Sequence, residues 1–255
     1  MDSPRDQIGD KAESREPLPY AFLRALPRRG RGGTMQRVQD AIREAIVTLA
    51  FTPGEFIQKE AICKRLVVSR FPVSEALGRL ADEGFVDILP QRGTRVSRID
   101  IAACRQSMFI RRALEGEAMW VVAQRASARL TARLEQNLLE QKAAMERGDG
   151  TRFFQLDIDF HDILLSELGH DRVKAAVEAA RGSLDRTRLF LLRTPVRQNQ
   201  SYLEHVAITA ALQARDPDAA RQAMTQHLDR VLAELERRAA ENPDIFATSP
   251  RPLTE

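Results

Sequence analysis

The feature of the sequence that most limits its fold is a change of pattern near Asp100. From there to about Ala240, apolar side chains recur at helical spacing and the signals for extended strands disappear. The pattern predicts helices over 101–128, 131–147, 151–168, 171–192, 201–214 and 217–240. The expected helix starts are a cap at Thr131, a capping box of Ser201 with Glu204, and Asp216 ahead of Pro217. Amphipathic helices of this number can bury one shared core, so residues 100–242 are predicted to form an all-helical bundle of about six helices.

Residues 35–99 carry a different, mixed pattern. A first helix is predicted after Thr34, a possible N-cap, and two further helices follow it. Two short extended segments then flank a glycine-bearing turn. In chain order, the later elements are predicted at Lys59–Leu66, from Pro72 to Gly84, at Phe85–Leu89 and at Thr94–Ile99. Three helices followed by a hairpin predict a winged helix-turn-helix with a two-stranded β wing, so the fold class is mainly α.

The two ends of the chain show no periodicity. Residues 1–34 contain four prolines and many charges and are predicted to be a flexible extension, and residues 243–255 a polar tail. The start has no apolar core of a secretion signal, the two cysteines show no pairing pattern, and no apolar stretch approaches a membrane span. We therefore expect a soluble cytoplasmic protein without a membrane partner.

The predicted third helix and wing are the candidate DNA-contacting surface, because a winged helix-turn-helix places these elements at base edges and phosphates. Residues 64–98 contain seven Lys/Arg and four Asp/Glu, whereas residues 99–255 contain 22 and 23, so the basic surplus lies where phosphates would be. The candidate contacts are Ser69, Arg70, Ser74, Arg79, Arg92, Gly93 and Thr94.

The segment PGEFIQKEAICKRLVVSRFPVSEALGRLADEGFVDILPQRGTRV resembles the DNA-binding signature of the GntR family of bacterial transcription regulators. The resemblance implies DNA contacts at Arg70 and at the wing tip Arg92-Gly93-Thr94. It also implies a homodimer that reads a near-palindromic double-stranded operator. The chain departs from the signature at Ser74 and Gly78, where the family usually has Arg, and at Val67, where it usually has Gly. A β-branched residue resists positive φ, so the turn at Val67 is expected to be altered or strained.

Three of the four histidines fall on apolar faces of the predicted bundle. Asp157 and His161 are four residues apart and share a helix face, while His205 and His227 lie on the inward faces of two other helices. Buried polar groups need partners, so the histidines are either satisfied one by one or share one site. Three neutral imidazoles and a carboxylate suit a divalent transition metal.

Around these residues the sequence resembles the FCD effector domain, the helical partner of the winged helix in the FadR subfamily of GntR regulators. The resemblance covers residues 105–240 and implies a metal at Asp157, His161, His205 and His227, completed by a small carboxylate effector. Zinc is the expected metal, with nickel, iron and manganese as alternatives. Arg111 is either an effector-binding cation or the structural partner of Glu115, four residues later.

The sequence thus predicts a DNA-binding transcription regulator that senses a small organic acid at a metal site, and no enzyme. The alternatives are a metal-dependent helical-bundle enzyme and a regulator whose metal is purely structural. The enzyme is disfavoured because the one Glu-x-x-His match, Glu167 to His170, is interrupted by Gly169, and no His-Glu-x-x-His motif occurs.

Overall fold

The computed structural model describes residues 18–27, 33–182, 184, 187, 191 and 194–247. Within these ranges the chain is mainly helical and contains two large hydrophobic cores, one in each half, and a small third cluster formed by Ala144, Phe153 and Leu156. None of the described helices combines the length and the apolar character needed to cross a membrane.

The N-terminal half folds as a winged helix-turn-helix. Three helices pack around buried aliphatic side chains, and three short strands form an antiparallel sheet in the order β1-β3-β2. The elements are α1 (Thr34–Val47), β1 (Phe56–Ile57), α2 (Lys59–Leu66), α3 (Arg70–Asp82), β2 (Val86–Leu89) and β3 (Gly93–Val96). The predicted hairpin is present as β2 and β3, and the two-residue strand β1 adds a third member that is too short to show a period in the sequence.

The turn before α3 contains the strain expected from the sequence. Val67 ends α2 in the left-handed region, with φ 57° and ψ 51°, where the Cβ of a β-branched residue is crowded. Helix α3 then begins at Arg70, two residues before the predicted start at Pro72, with Ser69 as its N-cap residue. The earlier start brings Arg70 and Phe71 into the first turn of the helix.

Part of the predicted flexible extension is packed against the domain. Tyr20 and Leu23 belong to its hydrophobic core, the Tyr20 ring meets the Phe51 ring edge-on at 4.8 Å, and the Leu26 amide donates to the Leu66 carbonyl. The prediction was therefore wrong for residues 18–27, because two well-placed aromatic and aliphatic side chains hold a segment that has no period of its own. Residues 1–17 and 28–32 of the predicted extension lie outside the described residues.

The C-terminal half forms the predicted helical bundle. Its described helices are α4 (Ile101–Gln124), α5 (Ala128–Glu146), α6 (Gly150–Leu168), α7 (Asp171–Gly182), α8 (Pro195–Gln213) and α9 (Pro217–Glu241). Helix α4 packs along α9, and α5 packs along α6. Gly116 permits the close approach of α4 to α9, because a Cβ at this position would lie 3.2 Å from the Thr225 hydroxyl oxygen.

Two helix starts differ from the predicted ones. The side chain of Ser127, not Thr131, caps α5, and Thr194 caps α8 ahead of Pro195. Ser201 and Glu204, expected to form a capping box, therefore lie inside α8, where both are buried. Most of the second half of the predicted helix 171–192 falls outside the described residues.

The predicted polar tail also contains a structural element. After Asn242 ends α9, β5 (Phe246–Ala247) pairs in parallel with β4 (Ile99–Asp100), directly before α4. Phe246 is buried in the core of the helical bundle. The prediction of a polar tail was therefore wrong for residues 246–247, and residues 248–255 lie outside the described part.

Candidate functional site

The first candidate site is the exposed face of α3 together with the wing. Val73, Ala76, Leu77 and Leu80 face the core, which leaves the predicted contact residues Ser69, Arg70, Ser74 and Arg79 exposed. At the wing tip, Arg92 and Gly93 are exposed, and Gly93 has a φ of 102°, a conformation that glycine adopts without strain. All of these positions are exposed, and they carry cations and hydrogen-bond donors.

Thr94 departs from this pattern. Side chains alternate along a strand, and β3 directs Thr94 and Val96 inward, so Thr94 is buried. The prediction of a DNA contact through the Thr94 side chain was wrong. The exposed cations near it are Arg92 and Arg98, while Arg95 is half-buried and pairs with Asp87 at 3.2 Å.

Arg70 is held by a neighbour that the sequence reasoning did not identify. Its guanidinium Nη2 lies 3.0 Å from Glu60 Oε1 on α2, and both side chains are largely exposed. An exposed pair of this kind contributes little to stability, but it orients the guanidinium at the start of α3. This pair joins two different helices, so the spacing of residues along a single helix does not reveal it.

The second candidate site lies in the bundle, where three buried imidazoles meet. His161 comes from α6, His205 from α8 and His227 from α9, and each offers one ligand atom within 4.8 Å of the others. The ring centroids are 5.7 Å (161–205), 5.3 Å (161–227) and 5.0 Å (205–227) apart. The structure thus brings together three of the four predicted metal ligands.

Asp157 lies at the edge of this cluster. It is buried one helical turn before His161, and its Oδ1 is 3.5 Å from His205 Nε2. The carboxylate is not within the mutual distance that the three imidazoles share. It lines the adjoining cavity, so it faces the same space as the imidazoles from one side.

A polar side chain lies beside the Nδ1 atom of each imidazole. His161 Nδ1 lies 2.6 Å from Glu115 Oε2, His205 Nδ1 lies 3.0 Å from Gln141 Oε1, and His227 Nδ1 lies 2.7 Å from Glu204 Oε2. Metal-binding histidines usually have such a partner, which fixes the tautomer and leaves the other nitrogen for the metal. Sequence reasoning missed Gln141 and Glu204, whose only signal was a polar residue on an inward helix face.

The protonation states also suit a cation. Burial lowers the pKa of His161 to about 4, so its imidazole is neutral near pH 7. Burial alone would raise the pKa of Glu115, but Arg111 and His161 outweigh this effect and lower it. The pKa of Glu204 is lowered in the same way, since His227 and Arg197 outweigh burial. The site therefore combines a neutral imidazole at His161 with ionised carboxylates at Glu115 and Glu204.

The residues present fit a bound divalent metal. Nε2 of His161 is fully buried and makes no hydrogen bond within the described part of the chain, an expensive state for a polar atom. A metal at the point where the imidazoles meet would satisfy this atom. Neutral imidazole is a ligand for zinc, copper, iron and nickel alike, so the donor set does not select one metal.

A cavity adjoins the cluster. Its free space is about 20 Å³, room for roughly one water molecule. Two guanidinium groups, Arg111 and Arg197, line it, together with Asp157, Leu191, Ser201, His227 and Val231. Both predicted roles of Arg111 are compatible with its position, because its Nε lies 2.6 Å from Glu115 Oε1 while the side chain borders the cavity.

Comparisons with known proteins identify the chain. Residues 34–96 match the bacterial regulatory proteins of the gntR family, and residues 106–230 match the FCD domain. The HTH-type transcriptional repressor RspR of Escherichia coli K12 is 35% identical over 216 residues, which are 83% of this chain and 93% of RspR. The protein belongs to the GntR family of transcription regulators and carries an FCD domain.

Further relatives and solved structures are transcription regulators as well. An HTH-type transcriptional regulator from an unstable DNA locus of Streptomyces ambofaciens is 34% identical over 207 residues, 81% of this chain and 87% of that protein. Among solved structures, Escherichia coli McbR/YncC aligns with a TM-score of 0.64 at 19% identity over 81% of this chain and 99% of that one. A GntR regulator from Rhodococcus sp. RHA1 aligns with a TM-score of 0.64 at 23% identity, over 80% of this chain and 97% of that one. The structural likeness concerns the fold, and the sequence relatives are DNA-binding regulators, not enzymes.

Proposed function

We propose that this GntR regulator is a homodimeric, cytoplasmic sensor whose FCD domain binds a divalent metal and a small carboxylate, and whose affinity for an operator changes with that carboxylate. The observation that carries the proposal is the meeting of three buried imidazoles, each with a polar side chain beside its Nδ1, around one point. His161, His205 and His227 would hold the metal, with Asp157 as the carboxylate at its edge. Zinc is the metal that we test first.

The formal charges around the cavity support both a cation and an anion. Three buried carboxylates (Asp157, Glu115 and Glu204) lie near two buried guanidiniums (Arg111 and Arg197), and the half-exposed Arg230 also contacts Glu204. The carboxylates would support a divalent cation. Arg111 and Arg197 line the cavity and offer donors to a monoanion such as a carboxylate.

The small free space in the cavity supports a change of packing upon binding. About 20 Å³ is room for roughly one water molecule, so an organic acid has to displace side chains. A ligand shifts an equilibrium only by its differential affinity for two conformations, and a site that repacks provides such a difference. When bound, the metal would supply positive charge that attracts the carboxylate, while the protein's guanidiniums would orient it.

The metal is tested by its content in the purified chain. We expect close to one equivalent in the wild type by mass spectrometry, and a loss of it in His205→Ala. His170→Ala is the matched control, because His170 is exposed and lies away from the cluster. Metal content that is unaffected by His205→Ala, or no binding of added zinc by the wild type, would contradict the site.

Sensing is tested by titrating operator DNA against a panel of carboxylic acids, with zinc added or chelated. We expect at least one acid to change operator affinity in the zinc-loaded protein only. If zinc stabilises the fold while every acid leaves operator affinity unchanged, the metal is structural and the sensor proposal fails. The structural alternative is thereby separated from the sensor in one experiment.

A further inference from the structure

The outward face of α3 carries an unusual set of side chains. We define the recognition stripe as Phe71, Ser74, Glu75 and Gly78, which follow i, i+3, i+4 and i+7 spacing and therefore share one face. This face is opposite to the buried residues of α3. In a winged helix-turn-helix, such a face and the first turn of the helix meet base edges in the major groove.

Phe71 is the prominent member of this stripe. Its side chain is 74% exposed in the first turn of α3, and it does not belong to the hydrophobic core of the domain. The adjacent turn exposes a second apolar side chain, Val67, at 76%. The folded chain thus gains little from either side chain, and both lie beside the predicted DNA contact Arg70.

Two of the other three members of the stripe are small, and the third, Glu75, is an exposed acid. Ser74 and Gly78 are the small members, and the space that a Cβ of Gly78 would occupy has no atom within 4 Å. A glycine inside a helix destabilises it relative to alanine, and close approach of another backbone is a common reason for it. Long cations flank the stripe at Arg70 and Arg79, so phosphates are matched at its sides although Glu75 lies between them.

We propose that Phe71 reads a thymine in the operator through apolar contact with the C5-methyl group. This inference rests on the DNA-binding function of the family and adds the base that the stripe selects. Thymine is the base that presents a methyl group in the major groove, and phenylalanine is among the side chains that contact it. The flanking arginines argue for DNA as the occupant of this exposed apolar surface, because a polyanion complements them.

The test removes the methyl group alone. An operator is first selected from a random duplex library with the full-length wild-type protein, and each thymine is then replaced in turn by deoxyuridine. Operator affinity is measured at one fixed salt concentration for the wild type, Phe71→Ala and Phe71→Leu. Phe109→Ala is the matched control, because Phe109 is 73% exposed on α4, outside the DNA-binding domain.

We expect deoxyuridine at one thymine position per recognition site to weaken wild-type binding by about three- to tenfold. The same replacement should have almost no effect on Phe71→Ala, an intermediate effect on Phe71→Leu and the full effect on Phe109→Ala. Equal sensitivity of the wild type and Phe71→Ala at every thymine would overturn the proposal, as would a wild type that is insensitive to all replacements. Failure of the wild type to select any operator would instead contradict the DNA-binding function itself.

Discussion

At the scale of single residues, Arg111 combines a buried ion pair with a position at the edge of the cavity. Its ion pair with Glu115 is 1% exposed on both sides, and Glu115 also contacts His161. Removing the guanidinium would leave a buried carboxylate without its main partner. We therefore expect Arg111→Met to lower the free energy of unfolding by about 3–5 kcal/mol in urea titrations.

The neighbouring residue provides the control for this prediction. Arg112 pairs with Asp229 at 3.2 Å on the surface, where both side chains are about half exposed. Arg112→Met should change the free energy of unfolding by less than about 1 kcal/mol. Equal effects of the two substitutions would show that burial of the Arg111 pair does not matter.

Gln141 is the residue through which the hydrogen-bond partners of the imidazoles are best tested. It is fully buried on α5, donates to Asn137 and meets His205 Nδ1 through its side-chain oxygen. Gln141→Leu retains volume and removes the oxygen that orients His205. We expect its zinc affinity, measured by competition with a chelating dye, to fall by about 10- to 100-fold.

Gln136 on the same helix is exposed and bonds to Glu140, so Gln136→Leu should leave zinc affinity unchanged. An unchanged affinity for Gln141→Leu, with normal folding by circular dichroism, would mean that His205 is oriented without this bond. The same comparison shows why sequence analysis found the imidazoles but not their partners. The spacing of apolar residues along one helix shows that each histidine lies on the inward face. The Gln141–His205 contact, in contrast, depends on how α5 and α8 pack.

At the scale of elements, the turn between α2 and α3 contains strain that can be released. The left-handed conformation of Val67 costs about 1–2 kcal/mol for a residue with a Cβ, and its side chain contributes little packing because it is exposed. Val67→Gly should therefore raise the free energy of unfolding by roughly 0.5–1 kcal/mol. This is less than the strain released, because glycine also gives the unfolded chain more conformational freedom.

Lys64→Gly is the matched control, since Lys64 is exposed inside α2 with ordinary helical backbone. It should lower the free energy of unfolding by roughly 0.5–1 kcal/mol. Opposite signs in the two urea titrations are the expected result. A loss of stability in both would show that the turn does not store strain.

Periodicity predicted the helices well but predicted their ends less well. Long amphipathic segments show their inward face in any 11-residue window, so α4, α5, α6 and α9 were recognisable. The start of α8 depends on one side chain, Thr194, and the plausible cap at Ser201 was a false signal. Strands of two residues, such as β1, β4 and β5, have no period and form through distant partners.

At the scale of the whole molecule, the connection between the two halves is short and tied at several points. Ser97 donates to Asp87 at 2.9 Å in the wing, Asp100 caps α4, and Ile99 pairs with Phe246. The hydroxyl of Ser97 is thus joined to the DNA-binding domain, while Phe246 is buried in the bundle. We therefore expect a change of packing in the bundle to reach the wing through this connection.

We expect three glycines inserted between Arg98 and Ile99 to uncouple the two sites. Zinc binding and basal operator affinity should persist, because neither set of contact residues is altered. An organic acid that shifts wild-type operator affinity by about 5- to 150-fold should shift that of the insertion variant by less than twofold. Linkage demands that operator DNA change acid affinity by the same factor in each protein, so gel-shift titrations and calorimetry must agree. An insertion variant that retains the full wild-type factor would mean that the signal passes elsewhere, as through contacts between the two copies of a dimer.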